Sequence, residues 1–407
     1  MSRKPQDRRT FIKTMAGGAF AVGTSLAGWP RRERTPPARL DKGGMAYRPL
    51  GRTNLLVSEI SLGSSPLPDP DLLRAIVDRG VNYIDTSHNY DNGNAERQIG
   101  RLLKDVGRDK VHVATKFHVT PRDTAASIMA SVHGSLKRLD VETIDVLMIH
   151  GAETAAVVID ERVREAFERL KQEGAFRFRG LSCHANQDEV VRKAVGCGLY
   201  DMVQIGYNVF DIQEPAREVE TYPDYLGASG IRPLIDLAHS KGVGVVAMKT
   251  LKVGGRRQDL ERYRTGAVSL YQAMLKWVLD DARVASAVTE ILNRRQMEED
   301  LGAAGAKLAA AERRTLVRYV RESGADYCHG CARCRLICPA GIDSPGIVRA
   351  LAYHESFGKT GRARDVYASV VGGEAASACR DCGACEKACP YGVAVRSRVR
   401  EARRVLA

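Results

Sequence analysis

The chain has 407 residues, a length that suggests two or three domains and a sizeable hydrophobic core. Its formal net charge is +13, but residues 1–39 contribute +7 and residues 391–407 contribute +4, so the 351 residues between them carry only +2. With 6% aromatic residues and no basic patch indicated on the folded body, the sequence argues against nucleic acid as a partner.

The amino-terminal segment has the pattern of an export signal. Residues 15–29 contain no charged side chain, and they are too few and too rich in Gly and Ala to span a bilayer as a stable helix. A basic start, an apolar middle and small residues in the stretch SLA form the pattern of a removable signal. The stretch RRTFIK, residues 8–13, resembles the twin-arginine signal, although Asp7 stands where Ser or Thr is usual. We predict a signal and linker over residues 1–45, the twin-arginine export machinery as a partner and a periplasmic or other extracytoplasmic location. The alternative is a basic disordered tail on a cytoplasmic protein.

From about residue 56, β-rich segments alternate eight times with amphipathic helical segments. The β-rich segments are VSEISLGS, NYIDTS, VHVATKF, IDVLMIH, FRFRGLS, DMVQIGYN, GVGVVAMK and RVASAVTE. Eight β/α units over roughly 250 residues have the length and order of a closed parallel barrel, so we predict an α/β fold, a (β/α)8 TIM barrel. A doubly wound sheet would need a glycine-rich phosphate loop after its first strand, and SLGSSPLP is not such a loop.

Four polar residues stand at or just beyond the ends of the second, third and fourth β-rich segments: Asp85, Tyr90, Lys116 and His150. Catalytic groups of such barrels project from these strand ends. Reducing a carbonyl by hydride requires a proton donor for the developing alkoxide, and tyrosine can donate if its pKa is lowered. Lys116 would lower the pKa of Tyr90, Asp85 would hold the lysine, and His150 would orient the carbonyl oxygen. Each residue alone has a structural explanation, so the prediction depends on the set of four.

Eight of the ten cysteines lie in the last eighty residues, in two copies of the spacing C-x2-C-x2-C-x3-C-P. The copies are Cys328, Cys331, Cys334 and Cys338, and then Cys379, Cys382, Cys385 and Cys389. In the bacterial ferredoxin spacing, three thiolates hold one [4Fe–4S] cluster and the fourth cysteine binds the other. We therefore predict two clusters, with Cys389 joining the first three cysteines and Cys338 joining the second three. Zinc sites usually use two pairs of cysteines, and a disulfide framework would not predict the same spacing twice.

Residues 46–305 resemble the aldo/keto reductases in the segments YRPLGRTNLLVSEISLGS, DTSHNYDNGNAERQIGRLLK, ATKF, SLKRLDVETIDVLMIHG and GLSCHANQDEV. The resemblance implies an (α/β)8 barrel that reduces carbonyls with NADPH or NADH, and it implies that the four polar residues form the catalytic tetrad. A subset of that family carries a ferredoxin-like extension, which corresponds here to residues 306–407. The forty residues between Cys338 and Cys379 include the helical stretch SPGIVRALAYHES and resemble the helical ferredoxin domains of other oxidoreductases.

The nicotinamide contacts implied by the resemblance are Gly63, Asp85, Ser182, Gln204, Met248, Lys249, Leu251, Glu299 and Asp300. The pocket departs from the family pattern at Cys183, where Asn is frequent, and at Met248, where a tyrosine usually stacks on the nicotinamide. Glu290 and Gln296 stand where NADPH-preferring members place Lys and Arg, and a carboxylate would repel the 2′-phosphate. This argues against a preference for NADPH and leaves NADH, or no nicotinamide, as the alternatives.

Function is predicted from the two halves together. Hydride carries two electrons and each cluster takes one, and nothing in the sequence indicates a flavin. We predict an oxidoreductase of a small carbonyl or alcohol substrate, in which the clusters exchange electrons with a redox partner protein or a quinone. One alternative is an ordinary NAD(P)H-dependent reductase with structural clusters. Another is an electron carrier that uses the barrel only as a scaffold.

Overall fold

The structure is a computed structural model, and it describes residues 40–42, 44–184, 186–212, 230–251, 258–326, 328–329, 331–355, 358–371 and 378–407. The predicted twin-arginine motif lies outside the described residues. Among those residues, no helix has the combination of length and apolar composition that crossing a membrane would require.

Eight parallel strands close into a barrel, which confirms the predicted fold class. The strands are β4 (Ile60–Gly63), β5 (Tyr83–Asp85), β6 (His112–Phe117), β7 (Ile144–Ile149), β8 (Phe176–Cys183), β9 (Met202–Gly206), β10 (Gly244–Met248) and β11 (Val284–Thr289). Each falls within one of the eight β-rich segments of the sequence, except that β8 extends one residue beyond FRFRGLS to Cys183. In the register, Asp85 pairs with Ala114 and Lys116 pairs with Met148. The carboxyl ends of neighbouring strands therefore lie at one edge, where their last residues can meet.

A small antiparallel sheet precedes the barrel and consists of β1 (Leu40–Lys42), β2 (Met45–Pro49) and β3 (Leu56–Ser58). Arg48 fixes it to the barrel, because its guanidinium donates to Glu59 Oε1 at 2.7 Å and to the Val284 carbonyl at 2.8 Å. Glu59 and Val284 lie at the starts of barrel strands, so this sheet covers the end of the barrel opposite the expected catalytic face. Leu50 and Val57 are buried there with the residues of the barrel interior.

The helices associated with the barrel are α1 (Pro70–Asp78), α2 (Asn94–Val106), α3 (Ala125–Leu139), α4 (Ala155–Val158), α5 (Glu161–Gln172), α6 (Gln187–Cys197), α7 (Arg232–Ser240), α8 (Leu270–Leu279) and α9 (Arg294–Leu301). The start of helix α1 is fixed by local sequence. Pro70 occupies the first helical turn, and the Asp69 carboxylate caps the helix by accepting from the Leu72 N–H at 3.0 Å. Short 3-10 helices are Gly51–Thr53, Tyr90–Gly93, Arg108–Lys110, Val209–Ile212, Gln258–Tyr263 and Gly324–Asp326.

The carboxyl-terminal region is helical, as predicted. Its helices are α10 (Ala310–Ser323), α11 (Arg333–Leu336), α12 (Ser344–Glu355), α13 (Thr360–Val371), α14 (Ala384–Lys387) and α15 (Val395–Leu406). Ile347, Leu351, Tyr367 and Val399 belong to a hydrophobic core of this region, distinct from the main barrel core. We call residues 324–407 the iron–sulfur domain, after the predicted clusters. Helix α10 joins it to the barrel, and its Glu312 accepts from Lys276 of α8 at 2.8 Å.

Two cysteines lie outside the repeated motifs. Cys183 is buried in the last position of β8, which fits a small core residue. A cysteine that is not a ligand is more often a buried small apolar residue, but Cys197 is exposed. It is the last residue of α6 and is followed by Gly198 in the left-handed region, where the chain leaves the helix at the surface.

Candidate active site and cluster sites

A buried ion pair lies at the carboxyl end of the barrel. Lys116 Nζ donates to Asp85 Oδ1 at 2.6 Å and to the Thr86 carbonyl at 2.7 Å. The two residues are 2% and 5% exposed. The second Asp85 oxygen accepts from Gln204 Nε2 at 3.1 Å, so the carboxylate has partners on both oxygens. Burial lowers the pKa of Lys116, while the Asp85 carboxylate opposes that shift by favouring the ammonium form.

Tyr90 lies beside this pair. It begins a 3-10 turn after β5, in which Asp91 and Asn92 have positive φ of 48° and 53°. Lys116 Nζ is 5.3 Å from the centre of the Tyr90 ring. Burial raises the pKa of Tyr90 well above its usual value, and the Asp85 carboxylate adds to the increase. This direction is opposite to the one expected from the lysine, because burial is the largest influence on the pKa of Tyr90 and Asp85 acts in the same sense. The phenol is therefore held in its protonated form.

His150 completes the group. Its ring centre is 5.6 Å from that of Tyr90 in an edge-on arrangement, and its Nδ1 lies 3.0 Å from Ser87 Oγ. Burial and the nearby Lys116 ammonium lower the pKa of His150 to about 2. The imidazole is thus neutral at ordinary pH, with Nδ1 held by Ser87. The structure therefore brings Asp85, Tyr90, Lys116 and His150 together.

Three further histidines surround His150, and the sequence analysis missed them. His118 stacks on His150 with ring centres 4.2 Å apart, His184 lies 5.9 Å from His150, and His88 lies 5.4 Å from His118. They form, with His150, a histidine cluster at the ends of four consecutive strands. The sequence contained a signal, since four of the nine histidines follow consecutive β-rich segments as DTSH, TKFH, MIH and LSCH. Among the described residues, no three His, Cys, Asp or Glu side chains are placed to hold a single metal ion.

The inner residues of the implied nicotinamide pocket lie against the tetrad. Gln204 Oε1 is buried without a hydrogen-bond partner among the described residues. This oxygen can therefore accept a hydrogen bond from the amide of a bound carboxamide. Met248 Sδ lies 3.9 Å from Gln204 Nε2. Gly63 pairs with Asp85, and a Cβ at this glycine would approach the Val288 side chain at 3.2 Å. The Ser182 hydroxyl is engaged within the barrel, because it accepts from the Gly151 N–H at 3.0 Å. Gln204 and Met248 thus fit a carboxamide-bearing ring.

The outer residues of that pocket have mixed environments. Lys249 has a positive φ of 58°, and its charge helps to lower the pKa of the buried His184, for which burial is the larger cause. Leu251 is half-buried and packs against the barrel core. Asp300 is fully buried and accepts from Thr289 Oγ1 at 2.7 Å, which is a structural role. Glu299 is half-buried in the last turn of α9.

The iron–sulfur domain lies on the catalytic face of the barrel. Lys359 Nζ donates to the Ser65 carbonyl at 3.1 Å and lies 3.3 Å from Glu290 Oε2. Two further contacts join the domain to loops that follow barrel strands: an ion pair of Arg349 with Glu153 at 3.1 Å, and an approach of the His329 ring to the Asp211 carboxylate at 3.6 Å. The loops after β4, β7, β9 and β11 therefore all contact this domain. The charge of Arg362 in α13 lowers the pKa of Tyr90, and an ionised Tyr353 in α12 would raise it.

Each set of four predicted cluster cysteines lines one cavity. One cavity is lined by Cys328, Cys331, Cys334 and Cys389, and we call it the barrel-side cavity. The other is lined by Cys338, Cys379, Cys382 and Cys385, and we call it the outer cavity. Their empty volumes are about 370 and 450 Å³. In each, three cysteines of one motif meet the fourth of the other, which is the exchanged arrangement. No disulfide joins any of these cysteines.

The donor set fits a multinuclear group better than one ion. Four cysteines line each cavity, yet no set of described residues converges on a single-ion position. Thiolates that hold the corners of a cube are spread around it in this way. Burial raises the pKa of Cys331 to about 11, so its thiolate form requires nearby positive charge such as iron supplies.

Residues 68–267 match the aldo/keto reductase family, and residues 327–394 match the 4Fe-4S dicluster domain. The chain is therefore an aldo/keto reductase-like oxidoreductase with a 4Fe-4S ferredoxin-type domain at its carboxyl end.

Individual relatives match about two thirds of the chain. The uncharacterized oxidoreductase YqkF of Bacillus subtilis is 28% identical over 293 residues, which cover 66% of this chain and 94% of that protein. A probable aldo-keto reductase 1 of Glycine max is 27% identical over 311 residues, 67% of this chain and 88% of its own length. Among solved structures, the holo form of the aldo-keto reductase AKR11C1 from Bacillus halodurans superposes with a TM-score of 0.53 at 24% identity. It covers 67% of this chain and 95% of its own, and at that identity it supports the fold alone.

Proposed function

We propose that this chain interconverts a small carbonyl compound and its alcohol at the barrel mouth, and that two [4Fe–4S] clusters in the iron–sulfur domain carry electrons for that reaction. The observation that carries the proposal is the position of Tyr90. It lies between the Lys116–Asp85 pair and His150 of the barrel, and its pKa responds to Tyr353 and Arg362 of the iron–sulfur domain. The proposed catalytic group thus lies within electrostatic reach of the domain that would hold the electron carriers.

The four barrel residues have distinct roles in the proposal. Tyr90, kept protonated by burial, gives its hydroxyl proton to the carbonyl oxygen as that oxygen gains negative charge, and takes it back in alcohol oxidation. Lys116 lies beside the phenol and stabilises the phenolate that remains, while Asp85 holds the lysine in place. His150 is neutral and has Nδ1 engaged by Ser87, so its other nitrogen is left to hydrogen-bond the substrate oxygen.

A nicotinamide would supply or accept hydride when bound. The residues that would hold it are Gln204, through its unpartnered amide oxygen, and Met248, through its apolar side chain. Farther out, the Lys359 ammonium offsets the repulsion that the Glu290 carboxylate would exert on a phosphate. We propose nicotinamide as a cofactor of the barrel without a preference for NADPH.

The electron count supports a redox role for the clusters. Interconversion of a carbonyl and an alcohol transfers two electrons, and two one-electron clusters together carry that number. The alternatives remain a reductase with structural clusters and an electron carrier with an inactive barrel. The location of the barrel-side cavity against Asp211 of the barrel favours communication between the halves.

We further propose that the chain is exported in folded form. Iron–sulfur clusters are assembled in the cytoplasm, and an oxidising compartment would oxidise the eight thiols of a chain that crossed unfolded. The twin-arginine route carries folded proteins with their cofactors, which accounts for RRTFIK preceding a chain with two ferredoxin motifs.

Anaerobically purified protein tests these alternatives. The measurements are cluster reduction by visible and EPR spectroscopy and turnover of a panel of aldehydes, ketones and alcohols with NADH, NADPH or a viologen mediator. Tyr90→Phe should abolish turnover and leave cluster reduction intact. The control is Tyr83→Phe, because the buried Tyr83 hydroxyl has no hydrogen-bond partner among the described residues. Unchanged turnover in Tyr90→Phe would indicate the carrier alternative.

Cys382→Ser separates redox clusters from structural ones. If the clusters are redox centres, mediator-driven turnover by a folded Cys382→Ser protein should become much slower. If they are structural, the protein should unfold or retain its turnover rate. Cys197→Ser is the control, since Cys197 is also exposed but lies far away in α6.

A further inference from the structure

The two cavities differ in what surrounds them. The barrel-side cavity has His329 and Tyr391 in its wall, and these rings stack with centres 3.6 Å apart and planes 9° apart. His329 Nδ1 lies 3.6 Å from Asp211 Oδ1, and the two side chains are 10% and 9% exposed. A closely packed, buried contact therefore connects this cavity to the loop after β9.

Neither cavity has a barrel residue in its wall, but the outer cavity differs in that none of its described lining residues makes a hydrogen bond or ion pair with the barrel. All of its lining residues come from the range 338–399. Its ligand candidate Cys382 is exposed, whereas Cys334 in the barrel-side cavity is buried. The outer cavity is thus the one through which a large molecule in solution can approach a cluster.

Positive charge surrounds this approach. Residues 378–407 contain seven Lys and Arg against three Asp and Glu. The acids are already paired: Glu386 with Arg396, Asp381 with Arg400, and Glu401 with Arg404. Arg380 lines the outer cavity and Lys387 ends helix α14, and both are exposed. Neither has a salt-bridge partner within the described ranges, so their charges are available to a partner molecule.

We propose that electrons enter or leave through the outer cavity, where an acidic one-electron carrier protein docks on the surface of Arg380 and Lys387, and that the barrel-side cluster passes them to the barrel. This inference rests on the proposed function and adds the partner and the order of the clusters. Each encounter moves one electron: when the carrier is oxidised by one electron the outer cluster is reduced by one, or the reverse. Two encounters match the two electrons by which a carbonyl and its alcohol differ, and two protons accompany these electrons to or from the substrate.

The charge pattern supports a protein partner over a quinone. A positive surface around an exposed redox centre raises the rate of encounter with a negatively charged protein, and this effect weakens with salt. Electron-transfer contacts are small, so a few exposed cations near one cysteine are a sufficient surface. A quinone is neutral and would gain nothing from these charges.

Stopped-flow reduction of the clusters tests the proposal without any barrel substrate. The probe is a reduced, acidic plant-type [2Fe–2S] ferredoxin, compared with benzyl viologen radical as a small mediator and a reduced water-soluble quinone. The double variant Arg380→Glu/Lys387→Glu should lower the second-order rate with ferredoxin at least tenfold at low ionic strength. Its rate with benzyl viologen should not fall.

The control is Arg97→Glu/Lys137→Glu, which makes the same change in net charge at exposed positions of α2 and α3 on the barrel. If the rate with ferredoxin falls equally in the two double variants, the proposed docking surface is wrong. It is also wrong if the reduced quinone reduces the clusters faster than ferredoxin does in every variant. In Cys382→Ser the ferredoxin rate should fall while slow reduction of the remaining cluster by viologen persists. This experiment measures only cluster reduction. A failure of the docking proposal would therefore be distinguishable from a failure of the proposed carbonyl chemistry, which is measured by turnover.

Discussion

Lys359 of the iron–sulfur domain lies 3.3 Å from the carboxylate of Glu290, the residue directly after the last barrel strand. The same ammonium donates to the Ser65 carbonyl, beyond the first barrel strand. One lysine thus connects the iron–sulfur domain to the loops that follow the two neighbouring strands β4 and β11. It also places a positive charge beside the carboxylate that would otherwise repel the 2′-phosphate of NADPH.

The first prediction follows from this ion pair. Glu290→Gln removes the carboxylate and leaves the Lys359 ammonium without its anionic partner, so the dissociation constant for NADPH should fall about tenfold, which corresponds to about 1.4 kcal/mol. Binding of NADH, which lacks the phosphate, should change little. Calorimetric titration of both nucleotides measures the difference. Equal changes for the two nucleotides would show that this end of the pocket does not contact the phosphate.

The second prediction concerns the buried pair of Asp85 and Lys116. Lys116→Met leaves a buried carboxylate without its cation and should destabilise the protein by about 3–5 kcal/mol. Adding Asp85→Asn removes the charge that was left, so the double variant should recover much of that loss. Neither variant should turn over substrate. Thermal unfolding, followed by circular dichroism, is measured for the unaltered protein, the two single variants and the double variant, and it gives the coupling free energy between Asp85 and Lys116. A double variant less stable than Lys116→Met would contradict the prediction.

The sequence predicted those features that depend on local pattern. Barrel strands followed from eight β/α alternations, and the exchanged cysteine sets followed from two repeated spacings. The contact of Lys359 with Glu290 could not be predicted, since 69 residues separate them and neither has a distinctive local pattern. The pKa of Tyr90 was predicted in the wrong direction, because the effect of burial is a property of the folded environment.

The third prediction is a dependence of stability on pH. Burial lowers the pKa of His150 to about 2 in the folded protein, against about 6.5 when unfolded, so unfolding takes up a proton between these values. The stability due to the neutral ring is fully present above pH 6.5 and decreases by about 1.4 kcal/mol for each pH unit below it.

His150→Asn should therefore flatten the fall of the thermal midpoint between pH 7 and pH 5. The nearby charges of Lys116 and Arg362 contribute to the same shift and remain in that variant. His133→Asn, at an exposed position of α3 where the ring lies 2.7 Å from Glu173, is the matched control for loss of a surface imidazole. Equal slopes in all three proteins would show that His150 is not held neutral by the fold.

The fourth prediction addresses the proposed export. Arg8→Lys/Arg9→Lys keeps the charge of the amino terminus but removes the arginine pair, so the folded protein should stay in the cytoplasm with its clusters. Cell fractionation with iron analysis measures this. The control is Arg31→Lys/Arg32→Lys, a second arginine pair that follows the uncharged stretch. Export of both variants at the same level would exclude the twin-arginine route.

The fifth prediction tests the exchange of cysteines between motifs. Cys389 lines the barrel-side cavity with Cys328, Cys331 and Cys334, although it belongs to the second motif. Cys389→Ser should therefore alter the same EPR signal as Cys331→Ser, and Cys338→Ser should alter the same signal as Cys382→Ser. If the four cysteines of each motif instead bound one cluster, Cys389→Ser would alter the same EPR signal as Cys382→Ser. Because the two cavities differ in exposure, the signal lost in Cys389→Ser should belong to the cluster that ferredoxin reduces more slowly.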